Sequence, residues 1–192
     1  MTFFLALDHR LFLMINHLPH TPFTDAIAMT LSGVYGSTTL LWLLFGVWLF
    51  VREERKSHWF FAPLLTAALT SGLLTNVILK PFVERLRPSL STGAIIVQPA
   101  LYDYSFPSGH ATLAFAMAMV LSAQEPKWKT WFYLLAALIA LSRIYLGVHY
   151  PMDIIVGALL GWGIGFGALQ LFSFSPTAKT LKRQRCDKCR KG

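Results

Sequence analysis

Residues 154–178 read IIVGALLGWGIGFGALQLFSFSPTA, a stretch of 25 residues without a single Asp, Glu, Lys or Arg. A helix of about 20 apolar residues crosses a bilayer core, and a lone segment in lipid satisfies its backbone groups only as a helix. The stretch therefore predicts a membrane helix. Its small residues favour close packing against a neighbouring helix; the glycines concerned are Gly157, Gly161, Gly163, Gly165 and Gly167.

Four further charge-free stretches precede this one, and most of them are long enough to span a bilayer. They cover residues 26–51, 59–79, 104–124 and 130–142. The whole chain is 55% hydrophobic and 14% charged, whereas soluble domains carry about a quarter of their residues as charged side chains. This composition excludes a soluble domain, and the pattern predicts an all-α, polytopic membrane bundle with five transmembrane helices.

The stretch 130–142 is short, and it reaches spanning length only if its helix continues through Arg143 towards Val148. An ionisable residue at membrane depth costs about 2.5 to 3.5 kcal/mol on insertion scales. We therefore expect Arg143 to face a polar site inside the bundle.

The first twenty residues combine an apolar stripe with charged residues, such as Asp8 and Arg10, that interrupt a continuous span. The stripe consists of Phe4, Leu7, Leu11, Ile15 and Leu18. Such a segment is typical of an amphipathic helix lying in the membrane interface, and a true first span is the alternative. With this helix, residues 1–175 form a six-helix membrane domain.

Lys and Arg are distributed unequally between the two sides of the predicted bundle. Five spans place twelve of the seventeen on one side, which the positive-inside rule makes cytoplasmic. Seven of these twelve lie in the tail, residues 176–192, whose expected partner is anionic lipid of the inner leaflet and not nucleic acid. Cys186 and Cys189 in this tail are too few to hold zinc and are interpreted as reduced thiols.

The first polar segment on the opposite side reads KPFVERLRP, residues 80–88. It begins where an apolar helix ends, and Lys80 and Arg87 are seven residues apart. Taken alone, the segment fits basic side chains that reach for lipid headgroups. Pro81 and Pro88 leave the geometry of the turn open.

The second polar segment reads SFPSGH, residues 105–110, and stands directly before an apolar run. Ser108 is suited to cap a helix, and Gly109 lets a ligand approach the first backbone amides, which attract anions. His110 then lies in the first turn, with an imidazole that titrates near neutrality. Alone, the segment fits an ordinary helix cap equally well.

The third polar segment reads SRIYLGVHYPMD, residues 142–153. His149 and Asp153 are four apart, and Pro151 suits the first turn of the last helix. Asp153 can therefore accept a hydrogen bond from one ring nitrogen and make the other a better nucleophile. A purely structural His–Asp pair is the alternative.

All three segments fall on the extracytoplasmic side, where together they supply cations, two histidines and two helix starts. Such a set suits an anion, and phosphoryl transfer is the chemistry it favours. One histidine can attack while the other protonates a leaving oxygen. Glu84 and Asp103 are the carboxylates nearby, and the sequence contains no clustered set of metal ligands.

These three segments resemble the signature of the type 2 phosphatidic acid phosphatase (PAP2) superfamily, which reads K-x6-RP, PSGH and SR-x5-H-x3-D. All three parts match in order, in residues 80–88, 107–110 and 142–153. The resemblance implies a metal-independent membrane lipid phosphatase without a cofactor. Together with the distribution of Lys and Arg, it predicts a protein of the bacterial plasma membrane with its active site at the outer face and its C-terminus in the cytoplasm.

The resemblance also implies a role for each matching residue. His149 would form a phosphohistidine, Asp153 would orient it, and His110 would protonate the departing lipid oxygen. The expected phosphate-binding residues are Lys80, Arg87, Ser108, Gly109 and Arg143.

The substrate indicated by the resemblance is a lipid mono- or diphosphate. Members devoted to undecaprenyl diphosphate often carry Asp at the position of Gly109, so the glycine favours phosphatidylglycerophosphate or lipid A 1-phosphate. Undecaprenyl diphosphate stays an alternative because the chain is short and begins with an amphipathic helix. A transporter of anionic lipid and a non-catalytic scaffold are alternatives of other classes, and neither requires His149.

Overall fold

A computed structural model describes residues 2–33, 42, 44–47, 51, 60–88, 93–98 and 103–173. We name its helices α1 Thr2–Asn16, α2 Pro22–Leu31, α3 Phe61–Val83, α4 Gly109–Gln124, α5 Lys129–Tyr145 and α6 Pro151–Ser173. These described ranges contain no strand, so the predicted all-α class is confirmed. The tail, with Cys186 and Cys189, and residues 34–41, 43 and 48–50 of the predicted span 26–51 lie outside them.

Two of the described helices, α3 and α6, are long and apolar enough to cross a membrane. Helix α3 changes its winding on the way: it is α-helical over Phe61–Gly72, π-helical over Leu73–Leu79 and α-helical again over Lys80–Val83. Long π-helical stretches are rare and occur often at functional sites. The total of five spans stays a prediction.

Helix α4 lies at the centre of the bundle and packs closely against α6. A Cβ atom added at Gly157 would lie 2.8 Å from the Ser108 carbonyl oxygen, and one at Gly165 would lie 2.7 Å from that of Ala116. One at Gly161 would collide with the Thr112 carbonyl oxygen. We call these three glycines and the α4 backbone beneath them the glycine seam.

The prediction of close helix packing is wrong for the other two glycines of α6. A Cβ atom at Gly163 or Gly167 would meet nothing within 4 Å. In a straight helix, residues four apart share a face, and Gly157, Gly161 and Gly165 keep this spacing. Gly163 and Gly167 do not share this face, so close packing explains only three of the five.

Helix α1 turns its polar side inward. Phe4, Leu7 and Leu11 are exposed, whereas Asp8 and Asn16 are buried. Asn16 donates a hydrogen bond to the carbonyl oxygens of Ile95 and Tyr145, 2.9 Å in each case. Lipid accepts apolar side chains without cost, but a polar side chain needs a partner inside the protein.

Helix α5 continues through Arg143, as predicted, but it ends at Tyr145 and not near Val148. Gly147 forms the turn that follows, with φ at 81°. A Cβ atom there would lie 2.5 Å from the Ile95 carbonyl oxygen, so the turn requires glycine. The turn brings His149 back towards the ends of the neighbouring helices.

Candidate active site

A cavity of about 570 Å³ opens where α3 and α5 end and α4 begins. Six of the eight predicted site residues line it: Lys80, Arg87, Gly109, His110, Arg143 and His149. Polar residues that also line it are Thr75, Asn76 and Asp103, and the other lining residues are Gly33, Ala68, Leu69, Gly72 and Leu113. The three sequence motifs therefore meet at one site.

Lys80 and Arg87 are both buried, and both bind the carboxylate of Asp103. The Lys80 ammonium donates to Oδ2, and Nη2 of Arg87 donates to Oδ1 at 2.6 Å. Partial burial raises the pKa of the Asp103 carboxyl, but the hydrogen bonds from the two cations outweigh burial and lower this pKa to about 2. Asp103 fixes the two cations in place.

Arg143 is held by neutral groups. Its side chain is 1% exposed, and Nη1 donates to the Ser32 hydroxyl at 2.6 Å and to the Gln98 side-chain oxygen at 2.8 Å. The guanidinium therefore keeps its positive charge available to the cavity. The expectation that Arg143 faces a polar site is confirmed.

His149 is fully buried behind the cations. Nη1 of Arg87 lies 3.3 Å from Nε2 of His149. Because a guanidinium only donates hydrogen bonds, Nε2 is the accepting nitrogen, and the ring proton belongs on Nδ1. Burial, followed by the charge of Arg87 and the other cations, holds the pKa of the His149 imidazole well below its ordinary value.

The predicted hydrogen bond between His149 and Asp153 is not formed in this structure. Nδ1 of His149 lies 3.6 Å from Oδ2 of Asp153, beyond the length of a hydrogen bond. The same carboxylate oxygen accepts from the Tyr150 backbone N–H at 2.9 Å. The pairing is nevertheless placed as the spacing predicts, and catalytic hydrogen bonds are often long before substrate binds.

The start of α4 is built as predicted, with one correction. The Ser108 hydroxyl accepts from the Ala111 N–H, and the Ser108 N–H donates to the Asp153 carbonyl oxygen at 3.1 Å. Ser108 is therefore a buried helix cap, and its side chain does not line the cavity. Gly109 and His110 follow directly and do line it.

Gly109 faces α3. A Cβ atom at this position would lie 3.4 Å from the Asn76 side-chain oxygen and 3.4 Å from the Thr75 hydroxyl. Both residues belong to the π-helical stretch of α3. A larger residue than glycine would therefore reduce the polar part of the cavity.

Sequence reasoning missed the side chains behind Asp153. Arg85 donates to Oδ1 of Asp153 at 2.6 Å and to Oδ2 of Asp8 at 2.5 Å. Asp8 also accepts from the Met152 N–H at 2.9 Å. The sequence held one signal, because Asp8 interrupts the apolar residues of α1 and a buried charge needs a partner, but no spacing pointed to Arg85 as that partner.

Comparison with known proteins identifies the family of this arrangement. Residues 60–176 match the PAP2 superfamily. An undecaprenyl-diphosphatase from Sulfolobus acidocaldarius is 34% identical over 117 residues, which is 60% of this chain. The match spans 57% of that relative, little more than half its length.

Two solved structures have similar folds over most of the chain. LpxE from Aquifex aeolicus is 34% identical with a TM-score of 0.72, and the match covers 85% of this chain and 95% of that one. A transmembrane PAP2-type phosphatidylglycerolphosphate phosphatase from Bacillus subtilis is 25% identical with a TM-score of 0.69, covering 92% and 90%. The chain belongs to the PAP2 superfamily, and the prediction of a membrane lipid phosphatase is confirmed by its relatives.

Proposed function

We propose that this chain removes a terminal phosphate from a lipid through a phosphohistidine on His149. The observation that carries the proposal is the orientation of the ring. Nε2 faces the cavity beside Arg87, and Nδ1 faces the carboxylate of Asp153. A histidine held in this way has an unprotonated nitrogen on one side, which contacts Arg87 and can attack phosphorus, and an anion on the other side that stabilises its positive charge.

The reaction proceeds in two steps. Nε2 of His149 attacks phosphorus, a P–N bond forms, and the P–O bond to the lipid breaks while His110 donates a proton to the departing oxygen. His110 then accepts a proton from water, the water oxygen bonds to phosphorus, and the P–N bond breaks. Inorganic phosphate leaves, and both histidines return to their starting states.

Phosphate is held by the cations of the cavity. Lys80, Arg87 and Arg143 line it and stabilise the charge on the transferring phosphoryl oxygens. The Gly109 amide, at the positive end of α4, adds a neutral donor. Ser108 contributes by fixing this helix start. The proposed chemistry requires no metal and no cofactor.

The proposed placement has the cavity at the outer face of a bacterial plasma membrane, with α1 in the interface and five helices across the bilayer. Support comes from the unequal distribution of Lys and Arg, which assigns the basic tail to the cytoplasm and its anionic lipids. Leu69 lines the cavity, yet its side chain is largely exposed on the outside of α3. We therefore propose that the lipid tail lies beside Leu69 when its phosphate is in the cavity.

The substrate proposed is phosphatidylglycerophosphate or a related lipid phosphate. Gly109 supports it, because glycine keeps the space beside Thr75 and Asn76 open for a headgroup. Undecaprenyl diphosphate and lipid A 1-phosphate are alternatives with the same chemistry. Relatives with substrate-based names include an undecaprenyl-diphosphatase, lipid A phosphatases and a phosphatidylglycerolphosphate phosphatase.

Phosphate release by the purified, detergent-solubilised protein tests the proposal. The panel contains phosphatidylglycerophosphate, phosphatidate, undecaprenyl diphosphate and lipid A, with EDTA present and a His149→Ala control. We expect EDTA-resistant release that the substitution abolishes. Failure of folded protein to release phosphate from any of these lipids would contradict the proposal and favour transport of an anionic lipid.

A further inference from the structure

We propose that Arg85 and Asp8 are positioning residues, which set the carboxylate of Asp153 and through it the ring of His149. The inference rests on the proposed function and extends it to helix α1. It follows from a chain of partly buried contacts that begins on α1, passes through the loop after α3 and ends at the first turn of α6.

The contacts join three separate parts of the chain. Nη1 of Arg85 donates to Oδ1 of Asp153 at 2.6 Å, and Nη2 donates to Oδ2 of Asp8 at 2.5 Å. The guanidinium also lies 4.2 Å from the centre of the Tyr150 ring. A planar fork with two donors aimed at two carboxylates has little freedom to rotate.

Each carboxylate is held at both of its oxygens. Asp153 uses Oδ1 for Arg85 and Oδ2 for the Tyr150 N–H, and this second oxygen is the one that lies 3.6 Å from His149. Asp8 uses Oδ2 for Arg85 and Oδ1 for the Met152 N–H. Helix α1 therefore holds the first turn of α6 both through Arg85 and directly.

The two buried carboxylates need Arg85 as a partner for their negative charges. The Asp8 and Asp153 side chains are 3% and 0% exposed, so each would be a buried, unpaired anion without Arg85. A buried charge that loses its partner is strongly destabilised and moves to find another. For Asp153 such a movement shifts the anion that stabilises the His149 imidazolium, and a misplacement of about 1 Å can cost about 10²-fold in rate.

Arg85 does not line the cavity, whereas Arg87, only two residues away, does. A residue that binds phosphate directly affects KM, whereas a residue that orients the nucleophile affects the rate of phosphohistidine formation. The proposal therefore predicts a loss in kcat with an almost unchanged KM. A merely structural role would instead lower the fraction of folded protein without changing kcat per folded molecule.

The test compares Arg85→Gln, Arg85→Lys and Asp8→Asn in the full chain, using the lipid with the highest phosphate release. We expect Arg85→Gln to lower kcat about 10²-fold with KM within about threefold, and single-turnover phosphohistidine formation to slow by the same factor. Lysine keeps the charge but cannot bridge both carboxylates, so Arg85→Lys should recover about a tenth of the activity. Asp8→Asn should lower kcat about 10-fold.

Two further variants make the test specific. Arg10→Gln changes an exposed cation on the same helix, and its kcat should stay within about twofold of the parent. The double variant Asp8→Asn with Arg85→Gln should be no slower than Arg85→Gln alone, because the two residues act as one unit. Thermal unfolding of every variant separates loss of fold from loss of rate.

Parental kcat in folded Arg85→Lys and Asp8→Asn would overturn the inference, and so would a loss confined to KM. Neither result would touch the proposed function, which depends on His149. Full activity in His149→Ala would contradict the proposed function itself. If Arg85→Gln does not fold, the lysine and asparagine variants, which preserve charge or shape, still decide the question.

Discussion

The glycine seam joins α4 and α6, the charged end of the bundle lies around the first turns of the same two helices, and the two regions are built in opposite ways. Along the seam, backbone touches backbone, with no charge involved. At the charged end, four buried or half-buried ion pairs hold side chains from five segments, among them Arg85 with Asp8 and Asp153. Close packing stabilises a fold, whereas buried ion pairs often add little net stability.

The two regions meet at one hydrogen bond. The Ser108 N–H at the start of α4 donates to the carbonyl oxygen of Asp153, and Gly157 one turn further packs against the Ser108 carbonyl oxygen. The seam therefore fixes the start of one helix against the start of the other. From this comparison we expect changes in the charged end to alter rate and changes in the seam to alter stability.

The largest expected effect comes from His149→Ala. Loss of the nucleophile should reduce kcat by about 10⁵-fold or more, because no other group can form the covalent intermediate. The thermal unfolding midpoint should change little or rise, since a buried imidazole among cations adds no stability. Phosphate release measures the loss in kcat, and light scattering during heating measures the unfolding midpoint. A variant that loses its fold along with its activity would break the comparison.

His110→Ala is expected to have the next largest effect, and its size should depend on the substrate. A departing lipid alkoxide is a strong base comparable to hydroxide, so it needs a proton, and loss of a general acid costs about 10²- to 10⁴-fold. A departing lipid monophosphate has a pKa of about 6 and leaves without help. Single-turnover rates of phosphohistidine formation from phosphatidylglycerophosphate and undecaprenyl diphosphate, measured with the same variant, check this, because the later water step uses His110 for both lipids.

Equal losses on the two lipids would contradict the assignment of His110 as the acid. They would indicate that His110 acts mainly by binding phosphate, as the cations around it do. The Arg10→Gln variant again serves as the control, because its side chain is exposed and lies on α1.

The signature residues of the three motifs could be predicted from the sequence, because the spacing within each motif carries the information. His149 and Asp153 are one helical turn apart, and Ser108 stands directly before an apolar run. The residues behind the site could not be found in this way. Asp8 lies 77 positions before Arg85 and 145 before Asp153, and no local pattern joins residues that only the fold brings together.

The winding of α3 is a second feature without a signal in the sequence. Residues 73–79 read LLTNVIL, which any helix would accept, yet they form a π-helix that presents Thr75 and Asn76 to the cavity. The glycines of α6 show a different limit of prediction from sequence. Their number predicts close packing, but only the position of α4 separates Gly161, which touches it, from Gly163, which does not.

This difference between two glycines gives a prediction about stability. Gly161→Ala adds a methyl group that collides with the Thr112 carbonyl oxygen, and overpacking of this kind costs about 1 to 3 kcal/mol. Gly163→Ala adds the same methyl group where nothing lies within 4 Å, so it should not lower stability. Unfolding in detergent should show a lower midpoint for Gly161→Ala alone. Equal midpoints for the Gly161→Ala and Gly163→Ala variants would show that close packing along the seam does not determine stability.

The smallest expected effect comes from Asp103→Asn. This variant tests whether the negative charge of Asp103 changes KM through electrostatic competition with the substrate. The Asp103 carboxylate binds Lys80 and Arg87 and competes with substrate for them, so its loss should lower KM about threefold at low salt. Salt at about 1 M should remove the difference, because it screens a half-exposed group.

The lowered pKa of Asp103 fixes the pH dependence of this effect. A carboxyl whose pKa falls on folding adds stability that is present above its ordinary value of 3.8, and this stability is lost as the pH falls through about 2. Asp103 therefore stays ionised from about pH 4 to pH 8, and the ratio of the two KM values should be constant over this range. A ratio that changes with pH would place the titration of Asp103 inside the working range. A KM that rises in the variant would contradict competition and would indicate that the carboxylate chiefly holds the two cations in position.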